Sequence, residues 1–275
     1  MGKIIAFWSP WHGQTKTTAS MAAIAMAMND ISGDSVAMFH TQSRMADLEG
    51  MFNNRLDKEK RVMLYEGAGL NSLLLEFKRT ELTRASIERA ALPTALDGVV
   101  FLPGLEMDNE MAKMEDVREI LYTLAVRDIP KAFDWTFIDL SSGNDMLSEK
   151  IMERADVVVV TLSQNLAVWK QYFDTYAKYV KNEKVFYVIG GHKQDSSYGI
   201  RNLRRIQHID KKQSAVVPDC VGYMDAISNG RVAAFYLMNE NSTKDDENAI
   251  FISEVRGAAD KIRGMVYGYA KGEDE

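Results

Sequence analysis

A three-layer α/β/α sandwich on a mostly parallel, doubly wound sheet is the fold class that the sequence predicts, and three observations predict it. Short apolar runs rich in β-branched residues alternate with longer amphipathic stretches, the order that βαβ units produce. The chain has 275 residues, 46% of them apolar, enough to bury one extended core, so residues 1–275 read as a single domain. The third observation is local. The first apolar run ends in a short glycine-containing loop, Lys-Thr-Thr follows, and a helix rich in alanine and methionine begins.

The elements follow in order. Ile4 to Trp8 is the first expected strand, and the stretch 16–29 the helix after it. Ser35 to His40 is the second strand. The segment from Glu49 to Leu70 is charged and aperiodic and reads as an excursion beside the site. Helices over 70–78 and 83–91 lead to a strand at Gly98 to Leu102, and a helix over 109–127 leads to the strand Trp135 to Leu140. Then come a helix at 145–153, the strand Val157 to Leu162, a helix at 166–181 and the strand Val185 to Ile189. A helix at 198–207, the strand Ser214 to Val217 and a long helix at 245–268 complete the pattern. In such sheets ligands sit beyond the carboxyl ends of the strands, so the loops there are where chemistry is expected.

Composition narrows the function classes. The single cysteine, Cys220, excludes a disulfide framework and a cysteine cluster for zinc, and it suits a reducing cytosol. No apolar run reaches the length of a membrane span, and Ile4 to Trp8 is too short for the core of a signal peptide, so a cytoplasmic, soluble protein is expected. The formal charge of −6 gives no support to DNA as a partner. The basic run Arg201 to Lys212 fits a solvated helix face better than a DNA or acidic-partner surface. The amphipathic stretch Ile250 to Ile262 has mixed charge, which favours packing on the sheet over lying on a membrane.

Ser9-Pro-Trp-His-Gly-Gln-Thr-Lys-Thr-Thr18 lies between the first strand and its helix. A helix N-terminus presents unpaired N–H groups and a partial positive charge; Lys16 adds a full charge, and the Thr17 hydroxyl can hold Mg²⁺. The loop departs from G-x-x-x-x-G-K-[ST], because Pro10 stands at the first glycine position and Thr15 at the second, and an ordinary strand-to-helix turn stays open on the loop alone. The second constellation ends the fourth long strand, where Asp139 precedes Leu-Ser-Ser-Gly143. A carboxylate on a rigid strand beside a phosphate loop is placed to hold Mg²⁺, although the same residues also suit a cap or turn.

These segments together resemble the MinD/ParA class of P-loop ATPases, whose phosphate loop reads roughly K-G-G-x-G-K-T-T, and the resemblance covers nearly the whole chain. It extends to Asp139 to Gly143, to Ala155 to Thr161, and to Val217-Pro-Asp219 with Asp225 to Val232, which are similar to that family's late base-side loop and the helix after it. Ser141 to Gly143 and Ser196 to Asn202 look most like the TadZ branch, linked to pilus-assembly and mobile-element loci. The resemblance implies a P-loop NTPase fold and bound ATP and Mg²⁺. It places the nucleotide on Trp11, His12, Gly13, Gln14, Thr15, Lys16, Thr17, Thr18, Pro218 and Asp219, with Thr17 and Asp139 on the metal. It also implies a homodimer and a protein partner that the sequence does not identify.

The departures bear on activity. Trp11 stands at the signature lysine that crosses to the partner subunit's nucleotide in that family, and a tryptophan supplies stacking instead of charge. His12 and Thr15 replace glycines. Where the family has Asp-x-Asp after the second strand, this chain has His40-Thr41-Gln42, which leaves Gln42 to orient water, with Lys16 and Asp139 completing the catalytic set. Where the family often has an asparagine that reads the base, after the Val185 strand, this chain has Gly190-Gly191-His192. The leading expectation is an ATP-binding positional switch with slow hydrolysis. The alternatives are a pseudo-ATPase scaffold acting by protein contacts, and a phosphotransferase or amidoligase, for which the chain shows no separate acceptor site.

Overall fold

The computed structural model describes residues 1–42, 47–53, 67–105, 115–180 and 182–269. Among these residues eight strands form one sheet: β1 (Lys3–Trp8), β2 (Val36–His40), β3 (Leu92–Pro93), β4 (Val99–Phe101), β5 (Trp135–Asp139), β6 (Val157–Leu162), β7 (Val185–His192) and β8 (Ser214–Pro218). Their spatial order is β3-β4-β2-β5-β1-β6-β7-β8. Every pairing is parallel except β3 with β4. The predicted doubly wound sandwich is therefore present.

The described helices are α1 (Thr17–Ser32), α2 (Asp47–Asn53), α3 (Gly69–Phe77), α4 (Arg84–Ala90) and α5 (Glu115–Thr123). α5 runs on through a π-helical turn, Leu124–Asp128, and a last turn, Ile129–Ala132. Then come α6 (Met146–Arg154), α7 (Leu166–Gln171), α8 (Ile200–Gln207), α9 (Val221–Ser228), α10 (Val232–Asn239) and α11 (Ala249–Tyr267). Four of these elements correct the sequence reading. β3 has only two residues, one of them proline, too short to show a period. α2 overlaps the start of the segment read as an excursion; the residues after it, 54–66, fall outside the described ones, as do the first residues of the helix expected at 109–127. The helix that the resemblance placed at Asp225 to Val232 is instead two, α9 and α10, separated at 229–231; both carry apolar residues almost all round, which hides the amphipathic period that reveals a helix.

Strand alternation builds the layers. Along β1 the side chains of Ile4, Ala6 and Trp8 enter one apolar cluster and those of Ile5 and Phe7 the other; Val158 and Val160 against Val157 and Val159 repeat this on β6. α1 is buried over ten consecutive residues, Ser20 to Asn29, because the sheet covers one side and α11 the other. Its alanines permit the close approach. Asp30 ties the layer together, accepting hydrogen bonds from Tyr236 Oη at 2.7 Å and Arg256 Nε at 2.5 Å. α11 lays Phe251, Ile252, Val255, Ala258, Ala259 and Ile262 on this core, so the packing expected of the C-terminal stretch is what the fold uses. No helix among the described residues is long and apolar enough to cross a membrane.

Candidate functional site

Parallel register brings the chemistry to one edge. Asp139 ends β5 and pairs with Phe7 of β1 on one side and with His40 of β2 on the other, so the loops after all three strands open at the same level. The loop after β1 climbs from Ser9 to Lys16 and turns into α1. The helix starts with no side-chain cap and no acidic residue in its first turn, which leaves its N–H groups and its positive end available to an anion. Gly13 takes φ 74°, a turn conformation that side chains disfavour. Trp8 Nε1 donates to Gly143 O at 3.1 Å and the Gly143 N–H to Ser9 O at 3.0 Å, fastening this loop to the one after β5.

Hydroxyls hold the loop's floor. Buried Thr15, at the expected glycine position, hydrogen bonds Ser9 Oγ at 2.8 Å and Thr17 Oγ1 at 2.9 Å, and Thr17 Oγ1 lies 2.6 Å from Thr161 Oγ1 on β6. Thr161 in turn donates to Trp8 O at 3.1 Å. The Thr17 hydroxyl, the expected metal ligand, is thus engaged inside the cluster. Thr18 is the threonine that reaches Asp139, donating to Oδ2 at 2.5 Å. Neither Thr161 nor Ser9 was given a role in the sequence, although Thr161 is the one hydroxyl in the apolar strand β6 and Ser9 opens the loop.

Asp139 is fully buried. Its Oδ2 also accepts from Gln42 Nε2 at 3.2 Å, while Oδ1 is buried with no hydrogen-bond partner among the described residues. Burial pushes its carboxyl up from an ordinary 3.8 to about 6, against the Thr18 hydrogen bond and the nearby His40 and His12, which pull it down. An unpartnered buried carboxylate oxygen beside a hydroxyl, at the foot of an open helix N-terminus, is a hard-oxygen set that fits Mg²⁺. Asp139 and Thr18 would hold the ion. Among the described residues no group of three or more His, Cys, Asp or Glu could form a separate metal site.

Behind Asp139 lies a buried pair that the sequence did not reveal. His40 Nε2 is 2.8 Å from Glu49 Oε1 of α2, and the same oxygen accepts the Gly104 N–H at 2.8 Å. Burial pulls the imidazole down, but the Glu49 hydrogen bond and charge, with Asp139 beyond, outweigh it and raise it above its ordinary value. Burial likewise pushes Glu49 up, and His40 brings it below the usual carboxylate range. The pair clamps α2 to the ends of β2 and β4.

Lys16 turns the other way. It caps α1 in the left-handed region, φ 53° and ψ 41°, and its Nζ lies 2.7 Å from Asp219 Oδ1 and 3.7 Å from Met224 Sδ. Pro218 and Asp219 close β8, as the sequence placed them. Of the remaining expected residues, His12, Gly13 and Gln14 are exposed on the rim, and Trp11 is half-buried against the core on the sheet's other face.

No protein-family model and no curated protein matches the chain. Solved structures do. The septum site-determining protein MinD from Pyrococcus horikoshii, solved with Mg-ADP, superposes with a TM-score of 0.66 over 98% of this chain and 100% of that one, at 15% identity. The chain has the fold of the MinD and ParA ATPases. A ParA family ATPase from Chlorobium tepidum gives a TM-score of 0.67 at 10% identity over 94% of this chain and 99% of that one. MinD in the MinC:MinD cell division complex from Aquifex aeolicus gives 0.64 at 13% identity, covering 96% of each chain. The resemblance read from Lys16 to Thr18 and Asp139 thus holds at the level of the MinD/ParA fold, which also accounts for the strand-loop-helix geometry at β1 and α1.

Proposed function

We propose that this protein is a nucleotide-dependent positional switch that binds ATP·Mg²⁺ at the N-terminus of α1, closes as a homodimer and recruits a protein partner, with slow hydrolysis. The observation that carries this is the uncapped start of α1 directly above Asp139, whose buried Oδ1 has no partner. Lys16, Thr18 and the backbone N–H groups from Gly13 onward meet the phosphates; Thr18 and Asp139, with Thr17 beside them, meet the metal. The Mg-ADP in the Pyrococcus MinD structure and the MinC in the Aquifex complex support ligands and partners of these classes. Gln42, held at Asp139, is the residue left to orient water, which makes hydrolysis slow. The TadZ-like placement rests on Ser141 to Gly143 and Ser196 to Asn202, and the cargo follows from neither.

One observation favours a second reading, a scaffold of the same fold without nucleotide: Thr15 fills the loop's floor and Lys16 is engaged by Asp219. Releasing any nucleotide carried through purification and identifying it by chromatography separates the two. The switch carries adenine nucleotide and dimerises with ATP in light scattering; protein that carries none and stays monomeric at saturating ATP·Mg²⁺ is the scaffold.

A further inference from the structure

Lys16 is one of two non-glycine residues at positive φ among those described. A lysine there gives up roughly 1 kcal/mol relative to glycine, so something outside the backbone must hold it. Three contacts do. Asp219 Oδ1 takes the ammonium at 2.7 Å, Met224 Sδ lies beside it, and the Lys16 stem lies on Gly191, where a Cβ would come within 2.9 Å of Lys16 Cδ and Cε. The side chain thereby seals the wall formed by Val217 to Met224. The space left behind it, against Ala19, Ser20 and Tyr223, is about 10 Å³, room for one water at most. Lys193 Nζ stands 3.8 Å from the other Asp219 oxygen, ready to keep that carboxylate partnered if Lys16 leaves.

We infer that Asp219 is a positioning residue that holds Lys16 out of the phosphate loop, so that an incoming nucleotide exchanges Lys16 from this carboxylate to its phosphates and opens the Val217 to Met224 wall in the same step. The inference rests on the nucleotide-binding reading above. The exchange is near balanced because both ends are charge-assisted contacts and Lys193 remains at Asp219. A pair that is about a third exposed on each side is a weak latch, one that a triphosphate can displace.

The 275-residue chain supplies its own probe. Cys220, its one cysteine, lines the sealed space and is half-buried, with its thiol at Asn248. Without nucleotide, its modification rate by dithionitrobenzoate should rise in Asp219→Asn and in Lys16→Ala, and no further in the double variant. Mg²⁺ with inorganic tripolyphosphate, which has no base to cover the thiol, should raise the rate in wild type. In calorimetry, Asp219→Asn should bind ATP·Mg²⁺ roughly two- to fivefold more tightly than wild type, the scale of a half-exposed ion pair. The same change in the Lys16→Ala background should gain nothing, a dependence that mere loss of a negative charge does not produce. Equal Cys220 rates in all four proteins, or equal tightening in both backgrounds, overturns the latch. Absence of ATP binding in every protein overturns the nucleotide reading and the exchange with it; the Cys220 rates then still decide whether the pair seals the wall.

Discussion

Replacing Asp139 by asparagine removes the charge at the centre of the site and keeps the shape. With its oxygen in the Oδ2 position, the amide still accepts from Thr18 and Gln42. Burial is the main reason the wild-type carboxyl is raised from 3.8 to about 6. The sign follows directly: a carboxyl raised on folding favours the native state below about pH 4, and that advantage is lost as the pH climbs through about 6. A rise of this size corresponds to roughly 3 kcal/mol across the window. The amide nitrogen, left without a partner where Oδ1 was, costs about 1–3 kcal/mol at every pH, so the absolute difference between the proteins is less informative than its slope. Urea unfolding in chelator-treated buffer should show the variant gaining on wild type by roughly 3 kcal/mol between about pH 4 and pH 7, with no further gain above. Magnesium and ATP should narrow the gap near neutral pH, because the ion stabilises only the carboxylate form. A stability difference that does not change with pH refutes the claim that Asp139 is a strained, unpartnered charge.

Other outcomes follow from particular contacts. A Cβ on Gly190 would stand 2.2 Å from Thr15 O, a backbone atom, so Gly190→Ala should lower the melting temperature and weaken ATP·Mg²⁺ binding; at Gly257 in α11 nothing lies within 4 Å, so Gly257→Ala should be neutral or stabilising by about 0.5–1 kcal/mol. Hydrolysis should run below roughly 1 min⁻¹, and Gln42→Asp should raise it in a phosphate-release assay; rapid wild-type turnover would show that another group orients the water. Trp11→Ala should weaken the ATP-dependent dimer in light scattering, and the wild-type dimer should tolerate salt because apolar contact replaces the missing lysine charge. A Trp11→Ala dimer as tight as wild type removes Trp11 from the interface.

What could be read in advance was set by periodicity. All seven long strands and the major helices were visible, because β-branched runs buried on both faces alternate with amphipathic stretches. The short edge strand Leu92–Pro93 and the apolar helices α9 and α10 carry no such period. In the site, the strand-end Asp139 and the Lys-Thr-Thr of the loop were legible as motifs. Which hydroxyl meets Asp139 was not, since one residue of register along a loop decides it: Lys16 in the left-handed region starts the helix at Thr17 and carries Thr18 to the carboxylate. The partners of Lys16 and His40 were also hidden. Asp219 lies 203 positions from Lys16, and Glu49 lies in a charged stretch without a pattern.

The central claim is that the start of α1 with Asp139 is a nucleotide·Mg²⁺ site. Calorimetric titration of wild type and Lys16→Ala with ATP·Mg²⁺ tests it most directly. Wild type should bind saturably, with a requirement for the metal, and Lys16→Ala should bind roughly tenfold or more weakly, the scale of one charge-assisted phosphate contact. Equal affinity in the two proteins, or no saturable binding by wild type, would contradict it.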